Sequence, residues 1–252
     1  MRPTSTEAAE AAALAAGEGA SPAASASGSR SVASASLVVA GEATGLGGDA
    51  GSGSGESIGR VTGKHGAPTA DTLRERLGAR TRRELPLGTE TAASVLVALF
   101  FDAEGELRVW LLRKIDTLRR HAGQVALPGG KRDPADVTPL DTALREAEEE
   151  IGLPRADCDF IGDFDDYFTT TGYVVWPHVA FVDPSFEPVA DPQEVARVFS
   201  AVLARFLEAP TPQLVPLFGA EREVPGYVIE GETVWGATSA ILQDLARALL
   251  QT

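Results

Sequence analysis

The sequence predicts an α+β fold, a mixed sheet layered with helices, over residues 71–252. Three observations lead there. Predicted strands and helices are interspersed beyond residue 71 without strict alternation. All ten Phe, three Trp and three Tyr lie in those last 182 residues, enough for one packed core. Of the first 70 residues, by contrast, 42 are Ala, Gly or Ser and none is aromatic. Such a stretch cannot bury enough apolar surface to offset its ordering entropy, so residues 1–70 read as a disordered tail.

The elements follow in order. Asp71 to Leu77 reads as a short helix, with Asp71 as cap and Leu73 and Leu77 on one face. The apolar run from Ala92 to Phe101 reads as a strand buried on both faces. Asp102 to Glu106 is a turn, and Leu107 to Leu112 completes a hairpin. A basic, irregular segment then leads into Leu127-Pro128-Gly129-Gly130, which reads as a turn. Residues 138–151 read as a helix with Thr138 as cap, Pro139 at its first position and Asp141 in its first turn. Leu140, Ala143, Leu144, Ala147 and Ile151 form its apolar stripe, and Gly152 stops it. Strands are predicted at Phe160–Phe164, Tyr173–Val182 and Val195–Val202, with a short helix at Leu203–Glu208. A hairpin pairs Tyr227–Ile229 with Thr233–Trp235, and a helix from Ala237 to Leu250 closes the chain.

Charge excludes some function classes. Residues 71–252 hold 18 basic and 30 acidic side chains, which is -12 of the net -14. That balance opposes general nucleic-acid binding, which needs cations against phosphates, and a polybasic membrane anchor. No apolar run approaches the ~18 residues of a membrane span. The lone Cys158 excludes an intramolecular disulfide and any multi-cysteine zinc site; it reads as a small packed hydrophobe. His65, His121 and His178 lack metal-ligand spacing. Glu7, Glu10 and Glu18 oppose an acid-poor transit peptide, and the last three residues are not a peroxisomal signal, so a cytoplasmic protein is expected.

The chemistry concentrates in Arg145-Glu146-Ala147-Glu148-Glu149-Glu150. Residues three and four apart share a helix face, so Glu146 lies beside Glu149 and Glu150 while Glu148 points elsewhere. An acidic run on a helix is ordinarily a solvated face. Here, however, the acids sit in the last turns, where the helix dipole opposes them by ~0.3–1 kcal/mol each. Three converging carboxylates become sensible around Mg²⁺ or Mn²⁺, which prefer oxygen ligands.

Gly130, five residues, Asp136, eight residues and then Arg145 to Leu153 resembles the Nudix box. The family pattern is Gly, five residues, Glu, seven residues, Arg-Glu-apolar-x-Glu-Glu-x-Gly-apolar. Asp136 replaces the first glutamate, and the extra residue falls in the Pro134–Pro139 loop. The resemblance implies an α/β/α sandwich with a mixed sheet and a loop–helix–loop site. It implies metal ligation by Glu146, Glu149, Glu150 and the Gly130 carbonyl, and catalytic roles for Arg145, Glu146 and Glu149. Which glutamate activates water is left open.

Residues 110–130 resemble the segment preceding the box in Nudix coenzyme A diphosphatases. Leu118, Arg119, Gly123 and Pro128-Gly129-Gly130 match; Leu112, Lys114, Ile115 and Leu127 depart. Thr171-Gly172-Tyr173-x-Val175-x-Pro177 and Trp235-Gly236-Ala237-Thr238 are similar to the same subfamily. The resemblance implies a coenzyme A diphosphatase, with Lys114, Arg119, His121, Gly129 and Lys131 as substrate-binding residues and a homodimer as an allowed state. Arg113, Lys114, Arg119, Arg120, Lys131 and Arg132 make a local positive region suited to phosphates. Tyr173 and Trp235 read as core, and Glu194 stands as a candidate extra base or ligand. The alternatives are another nucleoside diphosphate derivative (ADP-ribose, NADH, a dinucleotide polyphosphate) or a non-catalytic regulatory Nudix module.

Overall fold

The computed structural model describes residues 68–117, 122–217 and 219–251. The tail over 1–67 and the segment Leu118–His121, with the expected substrate contacts Arg119 and His121, lie outside the described residues. In chain order the elements are α1 (Ala70–Gly78), β1 (Thr91–Phe101), β2 (Leu107–Lys114), β3 (Val125–Ala126), β4 (Gly129–Lys131), α2 (Pro139–Ile151), β5 (Cys158–Asp163), β6 (Tyr167–Phe168), β7 (Tyr173–Val182), β8 (Val195–Val202), β9 (Thr211–Leu217), β10 (Ala220–Ile229), β11 (Glu232–Trp235) and α3 (Gly236–Leu250). A 3₁₀ helix at Leu203–Leu207 takes the place of the predicted short helix.

The α+β reading holds, and the layers are those of an α/β/α sandwich. The main sheet runs β3-β2-β1-β7-β5, with β4 on β1, β6 on β7 and β8 on β2. It is mixed: β1 and β7 are parallel and the other pairs antiparallel. A second antiparallel sheet joins β9, β10 and β11. Alternation along β1 decides the two cores. Val95, Val97 and Leu99 pack with Leu73 and Leu77 of α1 and with Ile241, Leu242 and Leu245 of α3. Leu96 and Ala98 face the other way, onto Ala143, Leu144, Ala147 and Ile151 of α2. Each large aliphatic side chain so buried stabilises the fold by about 1.5–3 kcal/mol.

The ends of α2 follow from its sequence. The Thr138 hydroxyl accepts from the Asp141 N–H, and the Asp141 carboxylate accepts from the Thr138 N–H, a reciprocal cap. Gly152, at φ 69°, adopts the left-handed turn that stops the helix.

Four expectations need correction. Thr69, not Asp71, caps α1, because its hydroxyl accepts from the Thr72 N–H. The predicted turn at Gly129-Gly130 is the start of strand β4, paired with β1 through Val95↔Gly129 and Ser94↔Gly130. Only a residue without a side chain fits there, since a Cβ on Gly129 would collide with the Ser94 carbonyl oxygen. The strand expected at Phe160–Phe164 begins earlier, at Cys158. Strand β9 and the first half of β10 were not expected, because Pro212, Pro216 and Pro225 obscure the alternation. No helix among the described residues is long and apolar enough to cross a membrane.

Candidate active site

The edge of β1 is shared. Its end pairs with β2 at Leu99–Phe101, and its beginning pairs with β4 at Ala93–Val95. The Leu96 N–H donates to the Pro128 carbonyl at 2.8 Å between them. This division sets the glycine strand β4 beneath α2. A Cβ on Gly130 would collide with the Glu146 carboxylate. The box acid therefore lies directly on the strand, and a side chain at position 130 would force the Glu146 carboxylate to move.

Glu146 and Glu150 are buried, one turn apart on α2. Glu149 is half exposed at the rim, and its carboxylate accepts from Arg145 Nη1 at 3.0 Å. The expected convergence of three carboxylates is thus two buried acids and one at the rim. Among the described residues, no group of three acidic, His or Cys side chains is arranged as a ready cation cage.

Arg145 joins the loop to the helix. Its Nε and Nη2 donate to the two oxygens of Asp136 at 3.1 Å each, and Nη2 also donates to the Lys131 carbonyl at 3.1 Å. Asp136 accepts further from the Asp133 N–H and the Thr142 hydroxyl. Burial pushes the Asp136 carboxyl up, but Arg145 and these donors outweigh it and hold it below the usual carboxylate range. The residue that departs from the family pattern therefore anchors the arginine.

Two expected substrate contacts are corrected here. Lys114 is fully buried, with Nζ 2.5 Å from Glu150 Oε1 and 3.5 Å from Glu194 Oε2. Its position follows from parity: Leu112 and Lys114 share the β2 face that packs on α2. Burial pulls the ammonium down, yet Glu150, Glu194 and Glu146 together hold it above its ordinary range. Lys114 is an internal counterion, not a surface phosphate contact. The Gly129 N–H is also engaged, donating to Glu150 Oε2 at 3.0 Å. Of the other expected cations, Arg119 and Arg120 lie outside the described residues, and the described ones have partners. Arg113 pairs with Asp116 and Glu232, and Arg132 donates to the carbonyls of Asp136 and Val137. Lys131 Nζ lies 5.5 Å from the Tyr173 ring centroid.

Glu194, at the start of β8, is the acid that the sequence marked most weakly. It is buried, and neither carboxylate oxygen has a hydrogen-bond partner among the described residues. The same holds for Glu146, although its Oε1 lies 2.8 Å from Arg145 Nη1. That approach is an ion pair by distance with an unsuitable hydrogen-bond angle. Burial, then the neighbouring Glu150, pushes the Glu146 carboxyl up to about 8. Glu150 is raised as well, by burial, with Lys114 opposing. The Cys158 thiol, away from these groups, is pushed up to about 11 by burial, as suits a packed, unreactive side chain.

These residues fit a divalent cation. Glu146, Glu150, Glu194 and Asp136 are four buried carboxylates against Lys114 and Arg145, which leaves a formal charge of -2 when all are ionised. The partnerless oxygens are hard donors of the kind Mg²⁺ and Mn²⁺ prefer. Glu146 and Glu150 would hold the ion, and Glu194, with its partnerless carboxylate, is a further candidate ligand.

A pH dependence follows. Glu146 titrates near its ordinary 4.5 when unfolded and about 8 when folded. Between those values the folded, metal-free chain binds more protons, so its stability falls as pH rises through that window. In chelator, the melting temperature is expected to drop by several degrees between pH 5.5 and 8.5, at about 2–4 °C per kcal/mol for a domain of this size. Added Mg²⁺ should restore it at the higher pH. A melting temperature that climbs with pH in chelator would contradict the arrangement.

The chain is similar to known proteins in sequence and in fold. The family model described as NUDIX domain matches residues 90–218. A Photorhabdus laumondii protein named "Uncharacterized Nudix hydrolase NudL" is 36% identical over 139 residues, spanning 54% of this chain and 74% of the relative. The protein of that name from Yersinia pestis (strain Pestoides F) is 35% identical over 161 residues, 63% of this chain and 80% of the relative. Among solved structures, the Nudix hydrolase RenU from M. smegmatis aligns with a TM-score of 0.40 at 22% identity, over 46% of this chain and 73% of that one.

Proposed function

This chain belongs to the Nudix family, and on that premise we propose that it hydrolyses the diphosphate of coenzyme A or its thioesters, with Mg²⁺ or Mn²⁺. Water attacks one phosphorus, and the P–O–P bridge breaks. The products are 4′-phosphopantetheine, or its acyl form, and adenosine 3′,5′-bisphosphate. The observation that supports hydrolysis is the buried Glu146 carboxylate against Gly130, with no hydrogen-bond partner among the described residues. Coenzyme A is favoured by the segment Trp110–Gly130, where Leu118, Arg119, Gly123 and Pro128-Gly129-Gly130 match the coenzyme A diphosphatases.

Each residue has a part in this reading. A bound divalent cation supplies charge neutralisation at the diphosphate and acidifies the attacking water. Glu146 and Glu150 would hold that ion, and Lys114, 2.5 Å from Glu150, would keep that carboxylate in place. Arg145, anchored by Asp136, orients Glu146 and Glu149. Glu149 faces solvent at the rim and is the carboxylate assigned to take the proton of water.

The test is product analysis by mass, with Mg²⁺ or Mn²⁺ and a panel of coenzyme A, acetyl-coenzyme A, ADP-ribose, NADH and diadenosine polyphosphates. Metal-dependent release of 4′-phosphopantetheine, lost in Glu149→Gln and Glu150→Gln, is the expected result. Cleavage of another panel member alone would keep the diphosphate chemistry and overturn the coenzyme A assignment. Nucleotide binding without turnover would instead point to a regulatory module.

A further inference from the structure

Strand β7 runs between β1 on one side and β5 and β6 on the other, and its side chains are almost all buried. Trp176 and Phe181 are the two that are not. Phe181 stacks on Phe101, with ring centroids 5.7 Å apart. Trp176 belongs to none of the apolar clusters. Among the described residues, no ring or cation lies against its indole. The other two tryptophans are placed differently. Trp110 stacks on Phe100 at 4.9 Å, and Trp235 is buried with Val215. Even His178, two residues beyond Trp176, has Phe160 as its ring neighbour, at 6.4 Å.

The sheet register fixes where this indole stands. Gly130 pairs with Ser94, and Ser94 pairs with Trp176, so the three form one row across β4, β1 and β7. Directly paired residues point to the same face of a sheet. That face is the one on which Glu146 lies, because a Cβ on Gly130 would meet its carboxylate. The apolar stripe of α2 packs further along β1, on Leu96 and Ala98. Gly130 and Trp176 are two strand spacings apart, about 10 Å. The residue between them is a serine, so no bulky side chain of that row separates the indole from the acid.

We infer that Trp176 is the stacking surface for the nucleobase of the substrate's nucleoside diphosphate half. The inference rests on the diphosphate-hydrolase reading for its ligand. With the diphosphate at Gly130 and Glu146, a ribose spans the remaining gap and brings the base level with the indole. Coenzyme A, ADP-ribose, NADH and the diadenosine polyphosphates all carry such an adenosine half, so the role does not depend on which of them is cleaved. An indole face with no protein ring or cation on it matches a flat base, whereas the flexible pantetheine arm has no ring to stack.

The test is binding, read apart from hydrolysis. Adenosine 5′-diphosphate, ribose 5-phosphate and pantetheine are titrated with Mg²⁺ into the wild type, Trp176→Phe and Trp176→Leu. Calorimetry gives the affinities, tryptophan emission is followed in parallel, and melting curves check the fold of each variant. The Kd for adenosine 5′-diphosphate should rise at least about fivefold in Trp176→Leu, the scale of one lost base–aromatic stack, and stay within about twofold in Trp176→Phe. The nucleotide should quench emission in the wild type and leave it unchanged in Trp176→Phe, since Trp110 and Trp235 are packed elsewhere. Ribose 5-phosphate, which has no base, should bind all three proteins alike. This pattern supports the stacking role even if no panel member is hydrolysed; only the hydrolase reading then fails. Equal nucleotide affinity in the wild type and Trp176→Leu overturns the inference, whatever is hydrolysed. So does quenching that survives in Trp176→Phe, a readout that decides the matter even if Trp176→Leu does not fold. An equal loss of ribose 5-phosphate binding in Trp176→Leu would mark a structural role instead. Quenching by pantetheine and not by the nucleotide would assign the indole to the other half of the substrate. Either result also overturns the inference.

Discussion

Lys114→Met is expected to lower the melting temperature by roughly 6–20 °C, the equivalent of about 3–5 kcal/mol for breaking one side of a buried ion pair. Methionine matches the lysine stem in length and keeps the packing on α2. What is lost is the ammonium that lies 2.5 Å from Glu150 and 3.5 Å from Glu194. Both carboxylates are buried, and among the described residues Glu194 has no hydrogen bond to fall back on. The double variant Lys114→Met/Glu150→Gln should regain part of the loss by removing one of the stranded charges. Thermal melts of the wild type and both variants in chelator are the measurement. An unchanged melting temperature in Lys114→Met would mean that the ammonium is not the counterion of this cluster.

Glu146→Gln is expected to separate activity from stability. Diphosphate hydrolysis should fall at least about a hundredfold, the scale for removing one group aimed at developing charge. Metal-free stability at pH 8.5 should rise instead, because a carboxylate held at about 8 by burial and Glu150 is replaced by a neutral amide. The falling stability between pH 5.5 and 8.5 should flatten in the same variant. Active sites often carry such a cost, since groups useful for reaction are poorly satisfied at rest. A variant that is both less active and less stable at pH 8.5 would show that Glu146 serves the fold rather than the reaction.

Much of the fold was legible because the relevant signals are local. The α2 boundaries are written in Thr138, Pro139, Asp141 and Gly152, and the strand at Tyr173–Val182 in a β-prone apolar run interrupted only by Pro177 and His178. The missed elements depend on partners. Gly129–Lys131 is a strand only because β1 offers half of one edge, and β9 hides its pairing behind prolines. A further signal required two distant segments at once. Arg80 and Arg82 pair with Asp165, Asp163 and Asp166, so the chain after α1 is bound to the β5–β6 turn by charges that neither segment explains alone.

The site divides in the same way. Helical spacing placed Glu146 and Glu150 together, but spacing alone cannot tell a buried face from a rim, and Glu149 took the rim. The resemblance to coenzyme A diphosphatases implies a substrate-binding Lys114, and a lysine is seldom fully buried. Its strand parity, inward with Leu112, was the signal available. Asp136 departs from the glutamate of the family pattern, and its part is visible only in three dimensions: it is the carboxylate that holds the guanidinium fork of Arg145.

The divided edge of β1 has a wider meaning. Strands β2 and β4 each take their register from β1, and β3 closes onto β2 through Leu112↔Ala126 and Arg113↔Val125. Gly129 and Gly130 therefore take their place from β1, on the same edge that fixes β2, rather than from the segment that joins β2 to β3. The approach of Gly130 to Glu146 is anchored by strand pairing and not by chain continuity, so a change of sequence between Lys114 and Val125 is expected to leave it in place.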